Sequence, residues 1–507
     1  MGLVTLLGGQ FSAILQSWSW LKAAAMVASV LAFYVFGHAI YNIYFHPLSK
    51  FPGPKFAAMS HLFYARISVN GDFVKTMTAL HHKYGDVVRW TPNELSFSSA
   101  EAWKDIYTPH KPGETFVKDP GFYLIDDTLR AKMIANISDP EEHKQARKML
   151  DPAFSNKALF QNQDVVLKYV NMLMTAIQEE SRKGPINLVD YFNWVTSDIL
   201  GELAFSEAFG SVENRKTNSW IATLFDATKF GAYDGAIHSL SPVIWKHLQF
   251  FVPRKMREAI VNHISQSKDK LLARIGKADL EHRDICSYIL EKKDEMGMND
   301  WNLAGYAQTL VMAGSETTAT SFCGLTYYLC RTPEVYQKLK DEVRGRFKTM
   351  DEITIQTATF PYLTAVINEV LRIYPPVPIA LPRVTPKGGA MVAGVFVPEG
   401  AIVGVQSWCV THNPKHFKDP HTFRPERWLD PDCTDDLSAS QPFSLGSRNC
   451  IGQPMAMMEL RILIAKMVFL FDFKLIDDTL DWDRDGQCYR LWQKPPLWTE
   501  VTMREGL

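Results

Sequence analysis

Charged side chains are almost missing from the start of this 507-residue chain. Lys22 is the lone Asp, Glu, Lys or Arg among the first 49 positions, and residues 23 to 49 hold none. A run this long without charge excludes an ordinary solvated surface and calls for lipid or a protein core. As a helix at ~1.5 Å per residue, Leu21 to Tyr41 would cover the ~30 Å hydrocarbon core of a bilayer. A cleaved secretory signal needs a basic n-region ahead of a shorter apolar run, and this segment has neither. A retained transmembrane anchor is expected, with its span at about 21–41 inside an N-terminal unit 1–45. Lys50 and Lys55 follow the span and nothing acidic does before Asp72, so the positive-inside rule puts the remainder on the cytosolic side. The acceptor Asn136-Ile137-Ser138 should then stay unglycosylated. Gly2 fits a myristoylation start, but Leu6 stands where Ser or Thr is required.

Other shortages narrow the field. The seven cysteines, Cys286, Cys323, Cys330, Cys409, Cys433, Cys450 and Cys488, are odd in number and contain no C-x-x-C pair. That pattern argues against a zinc cluster or disulfide framework and suits reduced thiols, as in the cytosol. Against 55 acidic residues stand 54 Lys and Arg, a net charge of -1, so no excess of positive charge favours nucleic acid. Repeats and low-complexity tracts are absent. With 46% apolar and 21% charged residues the chain is expected to fold.

Prolines organise the chain beyond the anchor. The stretch 46–56, rich in Pro47, Pro52 and Pro54, cannot continue a helix and reads as a stiff hinge ahead of a catalytic domain 57–507. Val87 to Phe97 reads as strand, turn and strand. From about Glu141 to Phe360 the apolar spacing is helical. Between Pro375 and Pro454 lie 12 of the 28 prolines, which predicts loops and short strands, including a hairpin of Val395–Val397 with Ala401–Val405. Helix is expected again from about Met455.

Phe443-Ser444-Leu445-Gly446-Ser447-Arg448-Asn449-Cys450-Ile451-Gly452 is the most informative decapeptide. Glycines permit close backbone approach to a flat ligand and positive φ in a bulged turn. Amide donors at a helix start and a nearby arginine should lower the pKa of Cys450, making it a thiolate ligand. The string matches F-x-x-G-x-R-x-C-x-G, and here the chain resembles the cytochrome P450 family of haem-thiolate monooxygenases. The resemblance implies haem b, with Cys450 as axial iron ligand, Phe443 and Gly446 around the sulfur, and Arg448 on a propionate. It also implies the cytochrome P450 fold, mainly α with a smaller β-rich part.

Further segments extend the resemblance. Glu369 and Arg372 lie three apart on one helix face, and alone would be a solvated pair worth under ~1 kcal/mol. Followed by Tyr374-Pro375-Pro376 and by Phe423-Arg424-Pro425-Glu426-Arg427-Trp428, they resemble the family's E-x-x-R helix and F-x-P-E-R segment. This implies a structural cluster of Glu369, Arg372 and Arg427 beneath the haem. In Ala313-Gly314-Ser315-Glu316-Thr317-Thr318, a helical threonine at 317 can bond the carbonyl of Ala313, and Gly314 eases a bend. The stretch is similar to A-G-x-[DE]-T-T, which implies Thr317 and Glu316 as the catalytic proton-delivery pair. Arg147 resembles the arginine of a W-x-x-x-R helix, with His143 in place of the tryptophan, and Arg383 matches another propionate contact. The hinge string from Tyr44 to Pro54 looks like that of microsomal P450s of filamentous-fungal secondary metabolism.

That resemblance implies a lipophilic substrate such as a terpenoid, polyketide or alkaloid intermediate, and an endoplasmic reticulum location. Thiolate ligation favours O–O cleavage, a property known for P450s generally rather than read from this chain. No G-x-G-x-x-G or flavin motif stands out, so electrons should come from a separate protein, NADPH-cytochrome P450 reductase. Expected pocket walls are Val377 to Leu381, the helix face at Ala313, Phe116, Phe122 and the loop around Leu491. Ser241 to Arg254, with Trp245, Leu248, Phe250 and Phe251, is a candidate membrane-dipping segment. Two other functions fit parts of the pattern: a P450-type isomerase or dehydratase needing no external electrons, and a haem-thiolate sensor or binding protein.

Overall fold

A computed structural model describes residues 2–108, 111, 113–123, 133–241, 243, 245, 254–277 and 282–506. The uncharged start forms one helix, Gly2–Ile40, continued by a wider turn at Tyr41–Phe45. Trp20–Phe45 is long and apolar enough to cross a membrane, and only 6% of its most apolar window is buried against the rest of the chain. The end of the anchor docks onto the body through Asn42, whose amide donates to the Met59 carbonyl at 3.1 Å and whose carbonyl accepts from Arg89 at 2.8 Å. A Cβ on Gly53 would lie 2.0 Å from the Arg89 carbonyl oxygen, so glycine is needed where the hinge crosses the first strand. Of the candidate membrane-dipping segment, Leu248, Phe250 and Phe251 lie outside the described residues, while the indole of Trp245 donates to Asp234 at 2.8 Å.

The body is mainly helical. Its centre is the 32-residue helix Asp300–Arg331, capped by the Asn299 side chain accepting from the Asn302 amide at 2.9 Å. Against it packs Leu188–Phe205, which is buried on nearly every face and so apolar nearly throughout. Gly314 owes its identity to this contact, because a Cβ there would come within 3.0 Å of Leu200. The central helix continues unbroken through that point.

The smaller β part is a five-stranded sheet in the order Val87–Thr91, Glu94–Phe97, Ile402–Val405, Arg383–Val384, Val117–Lys118. The strand, turn and strand at 87–97 form as expected. The expected hairpin does not. Val395–Val397 pairs with Ala390–Val392, while Ile402–Val405 joins Glu94–Phe97 in parallel. The reason is local: Ala393 and Gly394 have φ of 46° and 76°, the double positive φ of a tight hairpin turn, and Pro398-Glu399-Gly400 is only a connection. Between Pro375 and Pro454 helices are short, and the long helix resumes at Gln453–Leu470. All seven cysteines are free.

Candidate active site

The Cys450 loop is shaped by two left-handed residues, Ser444 at φ 58° and Gly446 at φ 74°. A Cβ on Gly446 would meet the Tyr107 carbonyl oxygen at 2.1 Å, so the loop presses on the helix Ala100–Tyr107 through bare backbone. The Cys450 amide donates to the Phe443 carbonyl at 2.8 Å, which closes the turn. Phe443 and Ile451 pack against the main core, as does Met312 beside Ala313 on the central helix.

The cysteine's acidity is opposite to expectation. The Gly452 and Gln453 amides and the Arg147 charge do pull the thiol pKa down, but burial outweighs them and the net shift is upward. Cys450 is nonetheless exposed as a residue. The two observations agree for a sulfur packed by protein on most sides while part of the residue stays open. An iron there would deprotonate the sulfur outright, without help from the loop.

Beside this loop the fold gathers cations drawn from distant segments. Arg448 donates to the carbonyls of Ile137 at 2.6 Å and Ser138 at 2.7 Å, and burial followed by the Arg383 charge lowers its pKa to about 10. Arg147 donates to the Asn449 carbonyl at 2.6 Å and pairs with Asp151 at 2.7 Å. Lys118, held by the carbonyls of Ile134 and Ala135, is pushed down to about 6 by burial and by Arg448 and Arg383. His143 falls to about 3 through burial and the charges of Arg448, Lys118, Arg147 and Arg383. Arg383 is 3% exposed, and its Nε and Nη1 have no hydrogen-bond partner. A buried, mutually repelling set with orphaned guanidinium donors fits a ligand carrying carboxylates, as a haem carries two propionates. The donor chemistry therefore matches the haem that the decapeptide implied.

On the central helix the Thr317 hydroxyl donates to the Ala313 carbonyl at 2.6 Å, the back-bond the sequence predicts, while Ala313 itself is exposed. Glu316 does not pair with Thr317. It is 7% exposed and receives an ion pair from Lys494, which also donates to the Thr320 hydroxyl at 3.0 Å. Below, Glu369 accepts from Arg372 at 2.8 and 2.9 Å, from Arg427 at 3.0 Å and from the Trp428 indole at 2.9 Å. Glu369 and Arg372 are wholly buried and Arg427 nearly so, and Arg372 further donates to the carbonyls of Thr411 and Pro420.

Sequence reasoning missed Lys118 and Lys494. Lys118 sits on a two-residue strand and Lys494 just before Pro495-Pro496, and neither belongs to a recognisable motif. Of the expected walls, Ile379, Ala380 and Phe122 line a cavity of about 330 Å³, joined by Tyr489 and Arg490 of the C-terminal hairpin. Phe116 does not; it is buried in a satellite core cluster with Leu95, Trp103 and Tyr107.

An accessible cysteine on a bulged loop, a neighbouring cation cluster and a hydroxyl-bearing central helix fit the haem-thiolate class. Comparison with known proteins agrees: the sequence profile of the cytochrome P450 family matches residues 50–499. The chain is 37% identical over 492 residues to the cytochrome P450 monooxygenase efuB of Hormonema carpetanum, covering 95% of this chain and 96% of that one. It is 37% identical over 485 residues to the monooxygenase BOA3 of Botryotinia fuckeliana, covering 92% and 94%. To the monooxygenase astJ of Aspergillus oryzae it is 35% identical over 474 residues, covering 92% and 94%. The chain belongs to the cytochrome P450 family and is a P450 monooxygenase. Membership implies a haem-thiolate centre, a redox partner and a small-molecule substrate.

Proposed function

We propose that this monooxygenase inserts one oxygen atom from O2 into a lipophilic intermediate of fungal secondary metabolism, a terpenoid, polyketide or alkaloid. It works from the endoplasmic reticulum membrane, with 1–45 as anchor, 46–56 as hinge and 57–507 as the cytosolic catalytic domain. Haem b is its cofactor, and electrons arrive from NADPH through cytochrome P450 reductase. The observation that carries the reading is the convergence of Arg383, Arg448, Arg147 and Lys118 near Cys450, with two Arg383 donors left unpartnered. Cys450 would hold the iron, Phe443 and Gly446 would shape the space around the sulfur, and the cations would hold the propionates. When bound, the haem supplies oxygen activation.

The chain's own part is to deliver protons and exclude water. Thr317, tethered to the Ala313 carbonyl, presents its hydroxyl oxygen as an acceptor and relay on the exposed face of the central helix. Glu316 lies one turn before Thr320, tied to Lys494, and serves as the buried acid behind that relay. Glu369, Arg372 and Arg427 brace the polypeptide under the site and take no part in chemistry. The test is Thr317→Ala in membranes supplied with reductase, NADPH and labelled dioxygen, against a panel of fungal intermediates. Wild type should place label in product; the variant should divert most reducing equivalents to peroxide with ligand binding nearly unchanged. Unlabelled product from wild type would refute oxygen insertion.

A further inference from the structure

The cavity of about 330 Å³ has an apolar side of Phe73, Phe122, Ile379 and Tyr489 and a polar side that includes His61, His238 and the guanidinium of Arg490. Arg490 stands between the paired residues Tyr489 and Leu491 at the tip of the C-terminal hairpin, with φ 74°. A side chain rarely adopts that backbone, and glycine would do so without strain, so the arginine is kept against a conformational cost. Its guanidinium lies 4.4 Å from the Phe122 ring centroid. A Cβ on Gly235 would come within 2.9 Å of an Arg490 nitrogen, so the helix Ser219–Leu240 is notched to admit it. Arg490 reaches the Tyr64 hydroxyl, but its Nε is buried without a partner. Among the ion pairs of the described residues, none involves Arg490. The two acids lining the same cavity do not neutralise it. Burial drives Glu94 well above the usual carboxylate range and raises Asp119, which already accepts from the Gly121 and Phe122 amides.

We propose that Arg490 binds a carboxylate on the substrate, making the preferred substrate an apolar carboxylic acid rather than a neutral hydrocarbon or ester. This rests on the monooxygenase reading and adds the polar end of its substrate. The apolar body lies along Phe122, Ile379 and Tyr489, and the carboxylate pairs with the guanidinium at the hairpin tip, which fixes the substrate's direction in the cavity.

The probes are lauric acid and farnesoic acid, each against its methyl ester, titrated into the haem-loaded full chain and followed by the substrate-induced shift of the haem spectrum. A charge-assisted pair predicts that wild type binds each acid about 10-fold or more tighter than its ester. R490Q and R490G should lose that preference while keeping ester affinity, and R490K should keep part of it. R490G removes the charge and the positive-φ strain together, so loss of acid preference in it does not come from a strained backbone. Equal binding of acid and ester by wild type, no binding of any probe, or an acid preference that survives in R490G would overturn the proposal. Throughout, the reduced, carbon monoxide-bound absorption of sulfur-ligated haem is recorded. Its absence in wild type would strike the monooxygenase reading, whereas its presence without acid preference strikes Arg490 alone.

Discussion

Removing Lys494 should reveal how much the protein depends on a buried ion pair behind its central helix. The Lys494 side chain is 4% exposed and that of Glu316 10%, so water can replace little of either partner's solvation. Lys494→Met leaves a carboxylate uncompensated in that space, and breaking a buried pair from one side costs about 3–5 kcal/mol. Glu316→Gln leaves the ammonium stranded, relieved in part by its bond to Thr320. The double variant removes both charges, and replacing a buried pair by uncharged groups of similar volume is often close to neutral. The two substitutions should therefore be strongly non-additive, with the double variant recovering at least half of the loss seen in Lys494→Met. The assay is the urea midpoint for loss of the reduced carbon monoxide-bound absorption, read as a double-mutant cycle. Additivity within about 0.5 kcal/mol would refute the claim that the pair is coupled. Lys494→Met should also raise the fraction of NADPH consumed as peroxide, because Glu316 loses the partner that holds its carboxylate in place.

Further tests address the cysteine loop and the cation cluster. Gly446→Ala should cost about 1–3 kcal/mol from its left-handed backbone alone, with the overlap on Tyr107 added, and should abolish haem retention. Gly452→Ala is the control: its Cβ would stand 3.9 Å from the Cys450 sulfur at ordinary φ, so it should fold and keep haem. Lys118 has a folded pKa of about 6 against 10.5 for the free side chain, so between these values the unfolded chain binds a proton that the folded one does not. Stability of the haem-free wild type relative to Lys118→Met should thus rise with pH across that window by up to about 1.4 kcal/mol per unit, and fall as pH drops toward 6. Loading with haem, whose propionates favour the charged lysine, should flatten that slope, as thermal melts across pH would read.

What the sequence disclosed was whatever is encoded within a short window. The Cys450 loop, the Glu369 helix and the Thr317 turn each place their defining residues within about one or two helical turns, where spacing fixes geometry. The back-bond from Thr317 to Ala313 and the strands at 87–97 are of this kind. The misread hairpin shows the limit even at short range: a Pro-Glu-Gly string looks like a turn, but the double positive φ at Ala393 and Gly394 decided the pairing. The acidity of Cys450 was misjudged for a different reason. Helix-start amides and an arginine can be read from the string, but the desolvation that outweighs them comes from packing by distant segments.

The cation cluster makes the same point in its strongest form. Lys118, Arg147, Arg383 and Arg448 are separated by tens to hundreds of residues, on a short edge strand, a helix, an inner strand of the sheet and the cysteine loop. No local pattern distinguishes such a lysine from one on the surface. Folding assembles the four against electrostatic repulsion, and Arg383 still keeps two donors unsatisfied. A domain can sustain that frustration when a ligand binding only the folded form returns it as binding free energy. If these cations hold the propionates as proposed, haem binding and folding are thermodynamically linked through them, and charge-removing substitutions should stabilise the haem-free chain while weakening its hold on haem.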